Sequence, residues 1–350
     1  MSISKENKFN TRVSWIDTLR TISIFLVVYI HTGRRPDAIV PYVTPFFMPV
    51  FFFISGLFVK ESIKTKSFLN FAKSRARRLL IPYLTFGIIS YLNWFFLTGR
   101  IDGNVELENP IIFFLINTIY GVGGYKWLDY NITLWFFPCL LVVELIFFFL
   151  IRLPSRRIIV VALFVLSLIG YFYFDFFNIR NFRLPFGIDI ATTAVVFYGI
   201  GYFVSPYLLN NNVKLWYTKP FIALAAFCYI IFSNLNGSSA FVIGNFGKNY
   251  FYFYLAALSG ILFWTQISRV VKPNKILEEI GKNTLVIFPL HLLIFPYFTG
   301  ILVYLFKIPK DTLDSWSFLG LLYAIMAILI LIPMSWGLNR YVPFFLGKRR

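Results

Sequence analysis

Two histidines, His31 and His291, are the side chains of this 350-residue chain best suited to moving a proton, and both sit inside apolar segments. His31 ends the run WIDTLRTISIFLVVYIH, and His291 lies within TLVIFPLHLLIF. An ionisable group at membrane depth is costly and is usually kept for a task. Arg20 precedes His31 by eleven residues. In an α-helix that separation is about 1100° of rotation, within about 20° of three full turns, and a rise of about 16 Å. The two side chains therefore share one helical face at different depths. A cationic anchor at one level and an imidazole deeper on the same stripe suit an anionic ligand met from one side of a membrane. The imidazole is the side chain whose ordinary titration range best fits general-base work near neutral pH.

Composition supplies the solvent for these residues. The chain is 58% hydrophobic, 21% aromatic and 14% charged, with a mean hydropathy of +0.72, far from the make-up of a soluble domain. Apolar runs of spanning length fall at about 15–32, 41–59, 79–98, 132–151, 158–174, 185–205, 220–235, 251–267, 284–306 and 317–336. The expected fold is an all-α integral membrane bundle of about ten transmembrane helices. A single domain over 15–336 is flanked by a cytoplasmic segment, 1–14, and a basic cytoplasmic tail, 337–350. The stretch 110–120 (PIIFFLINTIY) is too short to span and reads as interfacial or re-entrant. The first span has basic residues before it, as a signal peptide does. HTGRRPD after it offers no small-residue cleavage site, so it is expected to remain in the mature protein.

Charge orients this bundle. With the N-terminus inside, 23 of the 33 Lys and Arg residues fall on cytoplasmic segments and 9 on the outer loops, leaving Arg20 within the first span. That bias follows the positive-inside rule, and counting 110–120 as a span would invert every later loop and destroy it. The net charge of +18 therefore reports topology and anionic lipid, not nucleic acid. Cys139 and Cys228 both fall in spans and read as small packing residues, with neither a disulfide framework nor metal spacing. No P-loop, GxSxG, HExxH or paired-cysteine motif is present, nor a clear internal repeat.

Arg20, ten residues, then His31 is similar to the signature of the membrane-bound acyltransferase-3 family. FFFISGLFV in the second span, RARRLLIPYL at the third, LWFFPCL in the fourth and IGKNTLVIFPLH at the ninth also resemble that family in order and spacing. LPFGID followed by FYGIGY further resembles its fucose 4-O-acetylase-like branch. The resemblance runs from Asp17 to about Leu292. It implies an enzyme of the cell (plasma or inner) membrane that moves an acyl group, usually acetyl, onto cell-surface glycans. Acetyl-coenzyme A or another acyl-coenzyme A is then the donor substrate, with no permanently bound cofactor and no metal. A glycan or lipid-linked sugar is the acceptor, membrane lipids surround the chain, and self-association into a homo-oligomer is compatible with the class. A transporter or flippase for a polysaccharide intermediate is the competing reading of ten spans with intramembrane charges.

Roles follow residue by residue, each beside a plainer alternative. His31 is the expected base, or else a buried imidazole bonded to a helix carbonyl. Arg20 helps position the thioester, or else pairs with Asp17 three residues earlier. Arg75 and Arg78, three apart with Arg77 between them, face one way if the third helix begins early. Guanidiniums there would grip coenzyme A phosphates, or merely anchor topology. Glu144 and Asp189 are carboxylates within spans and must be paired, protonated or turned inward. Asp189, near the outer end, is placed for an acceptor sugar; Glu144, nearer the cytoplasm, is placed to meet an arginine. Asp129 stands with Trp127 and Tyr130 in company that carbohydrate sites and interfacial aromatic belts share. His291, two residues after Pro289, either lines a kink or joins the site. Ser55 and Gly56 read as close-packing residues.

Overall fold

The computed structural model describes residues 13–98, 109–124, 127–178, 182–209, 219–272 and 274–348. Lys5, Lys8, Arg12, Arg100, Lys126, Arg180, Lys214, Arg349 and Arg350, all counted in the charge bias, lie outside the described residues. The described residues form twelve helices of eight or more residues. They are α1 (Ser14–His31), α2 (Pro49–Leu57), α3 (Phe68–Asn93), α4 (Pro110–Tyr120), α5 (Phe136–Leu150) and α6 (Arg156–Tyr171), followed by α7 (Ile188–Leu208), α8 (Lys219–Asn236), α9 (Tyr250–Val270), α10 (Lys275–Lys282), α11 (Thr284–Gly300) and α12 (Phe318–Tyr341). Among the described residues no β-strand forms, only two isolated bridges.

Eight of the described helical segments are long and apolar enough to cross a membrane, the longest being Phe68–Leu97 at 30 residues. These correspond to eight of the ten expected spans. The first, α1, has 18 residues but is diluted by Asp17, Arg20 and His31. The second expected span, 41–59, is not one helix. A single turn, Val40–Val43, is followed by non-helical residues 44–48 and then the nine-residue α2, roughly 14 Å long against a hydrocarbon core of about 30 Å. The cause is Pro41, Pro45 and Pro49, spaced four apart: Pro41 and Pro49 stand in the first turn of the two pieces, where proline starts a helix, and neither Pro45 nor Pro49 has an N–H to carry the helical ladder across residues 44–48. Broken backbone survives at membrane depth only when protein encloses it, and α2 buries Val50, Phe52, Phe53, Ile54, Gly56 and Leu57.

That enclosure depends on missing side chains. A Cβ on Gly56 would lie 1.9 Å from the Tyr198 carbonyl oxygen, and one on Gly201 would lie 2.2 Å from that of Phe53. Backbone of α2 thus rests directly on backbone of α7, with no flexible side chain to yield. Gly56→Ala is expected to lower stability by roughly 1–3 kcal/mol through overpacking, read as a drop in the thermal midpoint of detergent-purified protein. An unchanged midpoint would show that the two helices separate freely.

The layers follow from the same hydropathy. Two-thirds (67%) of the apolar windows of α5 and α7 is buried inside the protein, against 22% for α6 and α8. The first pair forms the core, and the second faces lipid with Val160, Val161, Phe164 and Phe227 exposed. α1 packs against α9, α10, α11 and α12. α10 ties α1 to α12: Thr21 of α1 donates to the Leu277 carbonyl of α10 at 2.5 Å, while Trp336 of α12 donates to Glu279 of α10 at 2.6 Å. The indole bond, joined by one from Asn283, holds the Glu279 carboxyl below the usual carboxylate range. Gly281 closes the joint, since a Cβ there would lie 2.4 Å from the Asp17 carbonyl oxygen.

Candidate active site

α1 is one uninterrupted helix from Ser14 to His31, so the expected stripe exists. Arg20 lies toward the α10 side and His31 at the far end. Arg20 meets Asp17 at 3.5 Å and sits over the Phe58 ring at 5.6 Å, with its side chain 30% exposed. The salt-bridge alternative is thus occupied.

At the far end the two histidines meet. The rings of His31 and His291 lie 5.1 Å apart between centroids, tilted by 58°. Nδ1 of His31 is 2.7 Å from the Val27 carbonyl, and Nδ1 of His291 is 3.3 Å from that of Ile287. A carbonyl oxygen only accepts, so each Nδ1 carries the hydrogen and each Nε2 keeps its lone pair when the ring is neutral. His31 is half-buried. His291 is fully buried, and its Nε2 has no partner among the described residues. Phe288 and Phe295 flank His291 at 6.4 and 5.9 Å. One half-open imidazole backed by a closed one is an arrangement that can take a proton from a bound hydroxyl.

Two residues not foreseen from sequence hold this pair. Asn131, 2% exposed, donates to the Pro289 carbonyl at 2.6 Å and to Ser90 Oγ at 2.8 Å. Both amide hydrogens are committed, so Asn131 ties α3 to α11 two residues from His291. Its side-chain oxygen accepts from the backbone and hydroxyl of Thr133, capping the short helix Ile132–Trp135. The available signal was a lone Asn just ahead of the LWFFPCL stretch. Arg34, three residues past His31, donates to Asp314 at 2.7 Å and Thr299 at 3.4 Å and lies over Tyr323 at 4.8 Å. It pins the end of α1 to α11 and α12. Arg35 instead pairs with Asp37 at 3.0 Å.

At the opposite end, α3 begins at Phe68, eleven residues before the expected span, so Arg75, Arg77 and Arg78 stand on helix. Arg75 meets Glu144 of α5 at 3.4 Å and lies over Phe71 at 5.1 Å. Glu144 therefore has the arginine partner that its depth required, and Arg75 is not an unengaged cation at the mouth. Arg78 is exposed. The final segment, Pro343–Leu346, packs on α3, and Gly347, at φ +68°, brings backbone against Arg77 and Arg78 so closely that a Cβ would lie 2.5 Å from the Arg77 carbonyl. Arg77 lies over Phe344 at 6.0 Å.

Asp189 lies elsewhere and is already engaged. Arg183 Nε meets its Oδ2 at 2.5 Å, with the two side chains 1% and 0% exposed. Arg183 also donates to the carbonyls of Val242 and Gly123 at 2.8 and 3.3 Å. Phe186 at φ 58° and Gly187 at φ 64° turn the chain back so that residues six apart meet. This geometry gives Asp189 a buried arginine partner. Asp129 is exposed in the turn before Asn131. Among the described residues no group of three or more His, Cys, Asp or Glu is placed to hold a metal ion.

The model of an acyltransferase domain (Acyl_transf_3) covers residues 13–340, which includes both histidines, Arg20 and the α3 arginines. No curated protein and no solved structure matches the chain.

Proposed function

Because this chain belongs to the acyltransferase-3 family and is a multi-pass membrane acyltransferase, we propose that it moves an acetyl group from acetyl-coenzyme A to a sugar hydroxyl of a cell-surface glycan or its precursor. The observation that carries the reading is the His31–His291 pair, with each Nδ1 turned to a helix carbonyl. His31 Nε2 takes the proton as the acceptor oxygen attacks the thioester carbon. The tetrahedral intermediate collapses, the C–S bond breaks, and the protonated imidazole returns its proton to the leaving thiolate. His291 and the Asn131 tie fix the ring that does this. Arg20, on the same stripe, helps hold the donor. The site lies in the cell membrane, with the α10 end cytoplasmic because the basic residues collect there. The fucose 4-O-acetylase-like branch is the reading of the LPFGID and FYGIGY stretches.

The test is ester-preserving NMR of surface glycans from cells with and without this gene. Loss of O-acetyl signals on deletion, restored by the wild-type chain, is the expected result. An unchanged glycan ester profile, together with no acetyl transfer from labelled acetyl-coenzyme A in proteoliposomes, would overturn the assignment.

At the donor mouth, the two arginines should separate on substitution. Arg78→Gln removes an exposed charge and is expected to weaken acetyl-coenzyme A binding by roughly 1.5–3 kcal/mol with stability unchanged. Arg75→Gln strands the buried Glu144 carboxylate and should lower the thermal midpoint, which Glu144→Gln added to it restores. Titration calorimetry and a melting curve on each variant check both. Donor binding unaltered by Arg78→Gln would leave that arginine as an anchor only.

A further inference from the structure

Segment 343–348 supplies a second cation beside Arg78, Lys348, and builds it into place. Pro343–Leu346 is a short helix that packs on α3 and α12. It ends in a Schellman motif: Gly347 donates to the Phe344 carbonyl at 2.9 Å and Lys348 to the Pro343 carbonyl at 3.2 Å, with Gly347 left-handed at φ +68°. The missing side chain lets the two backbones abut, since a Cβ on Gly347 would lie 3.0 Å from the Arg78 Cα. Backbone geometry therefore sets Lys348 next to Arg78.

The ammonium is held too. Lys348 Nζ donates to Asn339 Oδ1. Asn339 Nδ2 in turn donates to the Ser335 carbonyl at 2.8 Å, and Ser335 Oγ donates to Asn283 Oδ1 at 2.5 Å. A lysine that only anchors a helix snorkels on a free stem; this one is fixed through α12 to the start of α11. One of its three hydrogens is used and two are left to donate. Lys348 and Arg78 are both exposed, and among the described residues no carboxylate pairs with either. Glu144 is taken by Arg75, and Glu279 by Trp336 and Lys282.

Two open cations on abutting backbone suit a ligand with more than one phosphate. α3 leads from Arg78 to Ser90, about 18 Å along its axis, and Ser90 accepts from Asn131, which also bonds Pro289 two residues from His291. A coenzyme A whose thioester reaches His31 leaves its phosphates at this mouth. The diphosphate continues the line of the molecule, while the 3′-phosphate branches from the ribose. We propose that Lys348 binds the 3′-phosphate of the coenzyme A donor while Arg78 takes the diphosphate, an inference that rests on the reading of Arg78 as a donor residue. Lys348 stands off α3 on the neighbouring segment, where the branch falls. A phosphate monoester carries close to two negative charges at neutral pH, and an ammonium meets it as a point charge.

The test compares coenzyme A with 3′-dephospho-coenzyme A, each titrated into the full chain in phosphatidylcholine nanodiscs. Wild type is expected to bind coenzyme A roughly tenfold or more tighter, the worth of one charge-assisted contact. Lys348→Gln should bring the two affinities within about twofold by weakening coenzyme A alone, and Lys348→Arg should keep most of the preference. Arg78→Gln should weaken both ligands alike. The thermal midpoint of Lys348→Gln should equal that of wild type, because the Schellman bonds are made by backbone. A preference that survives Lys348→Gln, or a loss shared equally by both ligands, overturns the assignment and leaves the donor reading intact. Phosphatidylglycerol added to the nanodiscs separates a lipid headgroup from the coenzyme: if it abolishes the wild-type preference, Lys348 holds lipid phosphate and the assignment falls. Wild-type protein that binds neither ligand overturns the donor reading, and this inference with it.

Discussion

His31→Ala is expected to reduce acetyl transfer by roughly 10²–10⁴-fold, the worth of a positioned general base, while the protein inserts and folds normally. His31 is half-buried at a helix end, so truncation there opens little core. His291 differs: it is fully buried and flanked by Phe288 and Phe295, and His291→Ala is expected to lower both activity and thermal midpoint. The informative variant is the double. Residues that act as one unit lose their contributions together, not additively. The His31→Ala/His291→Ala protein should therefore transfer acetyl no more slowly than His31→Ala alone, measured with labelled donor at saturating acceptor. Near-normal transfer by a well-folded His31→Ala protein removes His31 from the chemistry. A double variant slower than the single by the full His291 factor shows two independent roles.

The second large effect is on folding. Asp189→Ala leaves Arg183 with its charge buried among Val242, Gly123 and Phe174, and breaking a buried pair by removing one partner costs roughly 3–5 kcal/mol. Such a loss should appear as low yield and a sharply lowered thermal midpoint. Replacing both, as Arg183→Met with Asp189→Leu, should recover most of it, because no charge is then stranded. The same experiment separates structure from acceptor binding. If Asp189→Asn keeps the wild-type midpoint yet raises the acceptor KM tenfold, Asp189 touches the sugar and the ion pair is incidental.

Much of the bundle was legible in the chain because a helix is a local periodicity. Eight spans follow from hydropathy over about twenty residues, and the Arg20–His31 stripe follows from the 100° step of one uninterrupted helix. The demand that Glu144 find a base was also legible, since a carboxylate inside a span has few alternatives; Arg75 supplies it. The broken second span was written in Pro41, Pro45 and Pro49, but its run of Phe and Val outweighs those prolines in any hydropathy reading. Nothing local says that α7 supports the nine-residue piece backbone to backbone at Gly56 and Gly201.

Pairing across the fold was not legible. His31 and His291 are 260 positions apart, and whether two apolar-segment histidines touch depends on the rotation and tilt of α1 and α11 about their own axes. Those angles are set by every side chain at the interface, among them the Asn131 bridge to Pro289 and the Arg34 clamp on Asp314. Arg183 and Asp189 are six residues apart, yet they meet only because Phe186 and Gly187 adopt left-handed backbone, which the tertiary contacts of Arg183 stabilise. By itself, then, the sequence determined the membrane character of the chain and eight of its spans, because hydropathy and the 3.6-residue turn act over short stretches. Which ionisable groups face one another was decided by the tertiary structure, because packing between helices fixes orientation and no single helix carries that information.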